Sequence, residues 1–262
     1  MNEGGAVPVD LKSSRGRGEG LYAQVVESIG QDIVSGNLRP GSIVYADQIV
    51  QRLGISRSVV RESLRSLSSL GLVESRPRVG TRVLPRARWD LLNPNVVYWR
   101  GRGPEYRQQQ RELLELRLGV EGAAARFAAK RISPTTATEI LAKAAAMLAA
   151  TEANDPMSFF DADAQFHRLL LEGSGNAVLA QFADTVEAVL RARSIDQRPG
   201  MSTLTLTSAR RHIRLAQALL ERNETEAEAW AREIVEYTLK EFEPAEAERE
   251  TDQPSEGSDT ES

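Results

Sequence analysis

The chain has 262 residues, of which 41% are apolar and only 5% aromatic, with a formal net charge of −4 and no cysteine. That length accommodates two ordinary domains, no run approaches the roughly 18 apolar residues of a membrane-crossing helix, and disulfides and thiolate metal sites are excluded by composition. The charge is unevenly divided: residues 21–88 carry ten arginines and no lysine against five acids, a local +5, whereas residues 243–262 carry eight acids against one arginine, a local −7.

Residues 1–18 are rich in glycine, serine and charge and are expected to be disordered. They lack the apolar core of a signal peptide, so a cytoplasmic protein is expected. From Leu21 to Ser35, Val25, Ile29 and Ile33 recur at helical spacing, and the turn Arg39-Pro40-Gly41 follows. A second helix is predicted over Ala46–Leu53, with Ile49, Val50 and Leu53 on one face, and Gly54-Ile55 turns the chain into a third. In that third stretch, SRSVVRESLRSLSSLG, Ser56 is a good N-cap. Val60, Leu64 and Leu67 form an apolar stripe, and Arg57, Arg61 and Arg65 recur on another face. A helix of this kind docks its leucines on a core and holds three guanidiniums outward, toward phosphates or guanine edges. Taken alone it reads rather as an ordinary surface helix with solvated arginines. Its flanks decide between these: Leu72–Ser75 and Thr81–Leu84 predict two short strands around the basic turn Arg76-Pro77-Arg78-Val79-Gly80. Helix, turn, basic helix and basic hairpin describe a winged helix-turn-helix over residues 19–88.

The stretch PGSIVYADQIVQRLGISRSVVRESLRSLSSLGLVESRPRVGTRV resembles the DNA-binding domain of GntR-family bacterial transcription factors. The resemblance implies a homodimer on double-stranded DNA with a palindromic operator. It places the DNA contacts at Ser56, Arg57, Ser58, Arg61, Arg65, Arg76, Arg78, Gly80 and Arg82.

Residues 85–104 carry Pro85, Asn93-Pro94, Gly101 and Gly103-Pro104 and predict an irregular linker, its core at 89–104. Within it WDLLNPNVVYW is apolar enough to dock on one of the domains. Residues 105–243 read as helix throughout, with segments near 105–131, 134–151, 156–173, 177–195, 203–221 and 224–242. The fold class is therefore mainly α: a winged helix-turn-helix followed by an all-α antiparallel bundle of about six helices. Residues 244–262 are acidic and polar and are expected to be disordered.

Both histidines fall in the bundle. Asp163 and His167 stand at i, i+4 and share a helix face, while His212 begins a later helix. Such spacing serves either a structural ion pair or a divalent metal ion such as zinc. D-A-x-F-H-x-x-L followed by Gly175-Asn176 is similar to the FadR-type C-terminal ligand-binding domain (FCD) of GntR regulators. In the metal-binding members of that group, an aspartate and three histidines hold an ion beneath the effector. Asp163, His167 and His212 match three of those positions, but Ile234 stands where a further histidine is expected. This leaves a three-ligand site with open positions, a substitute such as Glu233 or Glu236, or a pocket without metal. Arg117 is either the partner of an effector carboxylate or half of a surface pair with Glu121; Asn176 reads as a helix cap. VVRESLRSL, RPRVGTRV and WDLLNPNVVYW look like the galactonate- and gluconate-responsive branch. Together the resemblances imply a repressor released from its operator by a small carboxylate effector such as a sugar acid. The alternative is a metal-dependent enzyme acting on a small organic acid, fused to a DNA-binding module.

Overall fold

The first three helices build the winged domain as their apolar spacing predicts. The computed structural model describes residues 20–76, 79–195, 205–240 and 242. Helix α1 (Leu21–Val34) buries Val25, Ile29 and Ile33. Helix α2 (Ala46–Leu53) ends at Gly54, whose φ of 64° closes it in the left-handed region. Helix α3 (Arg57–Ser69) begins where Ser56 Oγ accepts from the Val59 amide, and it buries Val60, Leu64 and Leu67. Strands β2 (Val73–Arg76) and β3 (Gly80–Val83) pair antiparallel, and β1 (Ile43–Val44), two residues too short to leave a sequence pattern, adds to the other side of β3. Gly71 turns the chain from α3 into the sheet at φ 72°, and a Cβ there would collide with the carbonyl of Arg88. No other residue fits that corner.

Residues 85–104 depart from the irregular linker predicted. They hold a 3-10 turn at Arg86–Arg88 and a helix, α4 (Pro94–Arg102). Asn93 Oδ1 accepts from the Asn95 amide and Pro94 occupies the first turn, so the Asn-Pro pair read as a break is a helix start. The apolar content of the segment is spent on both neighbours. Val96 and Trp99 enter the core of the winged domain, while Val97 packs on Leu113 and Val189 of the helical domain. Trp99 lies against Gly30 of α1 and donates from Nε1 to Glu27 Oε2 at 2.6 Å.

The C-terminal region is all α: α5 (Tyr106–Arg131), α6 (Pro134–Glu152), α7 (Pro156–Gly173), α8 (Ala177–Ala180), α9 (Ala183–Ile195), α10 (Leu206–Leu220) and α11 (Glu224–Lys240). The helix predicted over 177–195 is two. Asn176 caps α8 by accepting from the Val178 and Leu179 amides. The chain then turns at Gln181-Phe182, and Leu179 and Phe182 pack on the cluster of Leu171, Val186 and Leu190. That tertiary packing overrides local helix propensity. Residues 203–204 of the segment predicted at 203–221, and the tails expected to be disordered (1–18 and 244–262), lie outside the described residues.

The connection between domains is ionic as well as apolar. Glu112 on α5 takes Arg86 at 2.6 and 2.9 Å and the buried Arg100 of α4 at 2.9 Å. Together these contacts hold burial and partners that a mobile linker would lack.

The Gly30 notch yields a stability prediction. A Cβ at Gly30 would stand 2.5–2.7 Å from the Trp99 ring. Overpacking of this kind costs about 1–3 kcal/mol, and alanine's helix preference returns at most about 1 kcal/mol. With every contact under 3 Å and on a rigid ring, the cost falls in the upper part of that range, and Gly30→Ala is expected to lower the urea midpoint by the equivalent of about 1–2 kcal/mol. An unchanged or higher midpoint would contradict the notch.

Candidate functional site

Two groups of residues carry chemistry. The first is the outer face of α3 and the hairpin. Ser56 and Ser58 are exposed and share a 2.8 Å hydroxyl contact at the start of α3. Arg57 stands 3.3 Å from Asp47 and Arg65 3.1 Å from Glu62, all four side chains open to water. Exposed Arg61 makes no ion pair among the described residues. Arg76 pairs with Glu74 at 2.7 Å across a short exposed stretch of β2. Arg82 on β3 is half-buried in register with Glu74 and Ile43, and Gly80 starts β3 at φ 112°. Arg78 lies outside the described residues. Surface pairs of this kind contribute about 0–1 kcal/mol, so these guanidiniums are free to exchange a carboxylate for a phosphate.

The second group lies inside the helical domain. Asp163 and His167 project from one face of α7, His212 comes from α10, and Arg117 and Glu121 come from α5. All five are buried, none more than 5% exposed. Asp163 Oδ1 is 3.3 Å from Nε2 of each histidine, and the two Nε2 atoms are 3.4 Å apart. The other nitrogen of each ring faces an oxygen: His167 Nδ1 lies 2.8 Å from Glu121 Oε2, and His212 Nδ1 lies 2.9 Å from the Ser208 carbonyl. Those partners are acceptors, so each Nδ1 faces an acceptor and each Nε2 faces inward, toward Asp163. Two ring nitrogens and a carboxylate oxygen converge on one point. Three donors about 2.1 Å from one tetrahedral zinc would stand about 3.4 Å apart, so these residues fit a divalent cation. The outer contacts to Glu121 and Ser208 are those that orient ligating histidines.

Arg117 sits beside the group, with Nε 2.6 Å from Glu121 Oε1 and Nη2 3.0 Å from His167 Nε2. Its pairing with Glu121 is therefore not the surface pair considered from sequence; both partners are interior. Burial pushes the Glu121 carboxyl up, but the Arg117 and His167 charges outweigh it and hold the group down at about 2. Asp163 is likewise held well below the usual carboxylate range, against burial, by its contacts with both histidines. Burial and the Arg117 charge lower the His167 pKa, yet the Glu121 charge and the Asp163 contact win and raise it.

Ile234 is buried in the apolar cluster of α10 and α11. Glu233 and Glu236, the substitutes considered for it, are exposed, and Glu233 pairs with Arg211 at 2.8 Å. Among the described residues the group with metal-ligand geometry is Asp163, His167 and His212 alone. Glu121 is the residue whose part in the site the sequence pattern left unassigned. Its signal was present: Leu114, Glu121, Ala125 and Ala128 follow one another at helical spacing, which puts the acid on the core stripe of α5.

Because the Arg117–Glu121 pair is fully desolvated, removal of one member leaves a buried charge. Glu121→Leu is expected to cost about 3–5 kcal/mol of unfolding free energy, and Glu121→Leu with Arg117→Met to recover most of it. Denaturant unfolding of the two variants checks this; equal losses in both would show that the pair is not the source.

With this geometry in place, comparisons with known proteins assign the two regions. Residues 21–83 match the family model for bacterial regulatory proteins of the gntR family, and residues 112–237 match that of the FCD domain. The galactonate operon transcriptional repressor of Escherichia coli (strain K12) is 30% identical over 170 residues, covering 64% of this chain and 73% of the relative. A probable D-xylose utilization operon transcriptional repressor of Paenarthrobacter nicotinovorans is 33% identical over 171 residues, covering 65% of this chain and 67% of the relative. The fold is shared with a solved structure described as "Lar controls the expression of the Listeria monocytogenes agr system and mediates virulence". It matches with a TM-score of 0.57 at 15% identity, over 87% of this chain and 98% of that one. These matches set aside the metal-dependent enzyme that an Asp/His cluster also allows. The chain belongs to the gntR family of bacterial regulatory proteins, with an FCD domain behind its winged helix, and is a DNA-binding transcription regulator.

Proposed function

We propose that this regulator is a cytoplasmic homodimeric repressor, released from a palindromic operator by a small carboxylate of the gluconate or galactonate type. One observation carries the reading: Oδ1 of Asp163 and Nε2 of His167 and His212 converge beside the buried guanidinium of Arg117. Asp163, His167 and His212 would hold a divalent ion such as zinc. With three protein ligands such an ion retains open positions and supplies a cation for a carboxylate and its adjacent hydroxyl. Arg117 adds a fixed charge next to that position, and Glu121 keeps both Arg117 and His167 oriented. The name of the galactonate operon repressor supports a sugar acid, and that name together with the D-xylose operon repressor supports a repressor.

The working division is a tail at 1–18, a DNA-binding domain at 19–88, a linker at 89–104, an effector and dimerisation domain at 105–243 and a tail at 244–262. Ser56, Arg57, Ser58, Arg61 and Arg65 serve the major groove. Arg76, Arg78, Gly80 and Arg82 form a wing against phosphates or the minor groove. Helix α5 connects the two functions, because it carries Arg117 and Glu121 at the site and, at Glu112, the contact to Arg86 that follows the wing. Effector binding that favours one placement of α5 lowers DNA affinity by its differential binding energy.

On an operator duplex recovered by selection from random DNA, Arg61→Ala is expected to cost about 1–3 kcal/mol in affinity without loss of fold. Removal of Arg76, Arg78 or Arg82 is expected to weaken binding on all sequences and to reduce the log–log salt slope by about one each. Fluorescence anisotropy at several salt concentrations measures both. The complex is expected to dissociate on addition of gluconate or galactonate, and His167→Ala and His212→Ala to abolish that response. Variants that respond to the acid like the parent would make the cluster a structural feature.

A further inference from the structure

Helix α5 carries a third buried polar residue in line with Arg117 and Glu121. Gln110 is 0% exposed, and among the described residues neither its Oε1 nor its Nε2 has a hydrogen-bond partner. At about 100° per residue, Gln110 projects about 20° to one side of Arg117 and about 20° to the other side of Glu121. It therefore points along the same interior direction as the residues of the site, two helical turns nearer the start of α5. Its neighbours on that face, Tyr106, Leu114 and Ala124, are apolar and buried. Burial of an amide with both ends unsatisfied is costly, and native interiors almost always supply partners. An apolar wall with a few placed polar groups is the usual lining of a small-molecule site.

We propose that Gln110 is the far anchor of the effector: its amide takes hydroxyls at the distal end of an open-chain polyhydroxy carboxylate. The carboxyl end of that molecule lies at Arg117 and the Asp163, His167 and His212 group, so the inference rests on the carboxylate reading of that group. Length supports the assignment. Gln110 and Arg117 are separated by about 10.5 Å of helical rise. A six-carbon chain built of about 1.5 Å bonds reaches about 6–7 Å end to end, and hydrogen bonds of about 2.8 Å close the remainder. A two- or three-carbon hydroxy acid bound at the carboxylate end does not reach the amide. Gln110 thereby makes the site selective for long polyhydroxy acids, where the charged cluster alone would accept any small α-hydroxy acid. A glutamine suits this role because it donates and accepts at once, as a chain of hydroxyls does.

The test is calorimetry on the full-length protein and on Gln110→Met, which keeps the shape of the side chain and removes the amide. The probes are gluconate and galactonate as six-carbon acids, lactate and glycolate as short ones, and zinc alone. For the parent, the six-carbon acids are expected to bind more tightly than the short ones. In Gln110→Met the six-carbon affinity is expected to fall about tenfold, the net effect of one or two neutral hydrogen bonds. Binding of lactate, glycolate and zinc stays as in the parent, and the melting temperature of the free variant stays equal or rises. Unchanged six-carbon affinity, equal weakening of every acid, or a lower melting temperature would overturn the assignment, the last by showing that the amide has a structural partner. A parent that binds only short acids would overturn it and leave the carboxylate site standing. A parent that binds no acid of either length would overturn both.

Discussion

A salt bridge with no access to water, Arg117–Glu121, sets the terms for the rest of the helical domain. Both side chains are interior, and neither charge is tolerable there without the other. Because Glu121 also faces His167 Nδ1 at 2.8 Å, the pair holds the orientation of that ring as well as balancing its own charges. The same ring presents Nε2 to Asp163 and His212, so the ion pair and the ligand geometry are one arrangement rather than two. A domain stabilised by burial alone would fill the same volume with leucine, and such substitutions are often neutral or stabilising. The ionic cluster carries a cost in desolvation, which the proposed binding of a carboxylate effector would put to use.

The second constraint is the way α4 and α5 join the site to the DNA-binding face. Trp99 fills the notch at Gly30, Val97 packs on Leu113 and Val189, and Glu112 gathers Arg86 and Arg100. The winged domain is thus held by the first two turns of the helix whose later turns carry Arg117 and Glu121. A displacement of α5 on ligand binding has a short route, through packed side chains and ion pairs, to the segment behind the wing. The exposed arginines of α3 stand outside this network, paired weakly with Asp47 and Glu62, as a surface that exchanges partners readily.

Much of this organisation was legible in the residues. The stripe of Val60, Leu64 and Leu67 under a face of arginines predicted α3, and the i, i+4 spacing of Asp163 and His167 placed them on one helix face. Three things were not legible, each for a physical reason. The helix α4 was hidden because Asn-Pro marks a helix start as readily as a loop, and only the cores on both sides of Trp99 and Val97 decide which. The break between α8 and α9 follows from where Phe182 packs, a contact that propensity does not encode. The role of Glu121 was masked because an i, i+4 Arg–Glu pair reads as a surface bridge until the apolar stripe around it is counted. The grouping of Asp163 and His167 with His212 came from the family resemblance and not from spacing, since α7 and α10 are far apart in sequence.

The central claim is that occupancy of the buried cluster and affinity for DNA are thermodynamically linked. Linkage is reciprocal: whatever factor the effector takes from DNA affinity, DNA must take from effector affinity. The direct measurement is therefore calorimetric titration of gluconate and galactonate into the free protein and into protein saturated with operator duplex. The account predicts weaker binding to the DNA-bound form, by the same factor by which the acid weakens operator binding. Equal affinity for the free and DNA-bound protein would show that the cluster and the winged domain are not coupled, and would contradict the account.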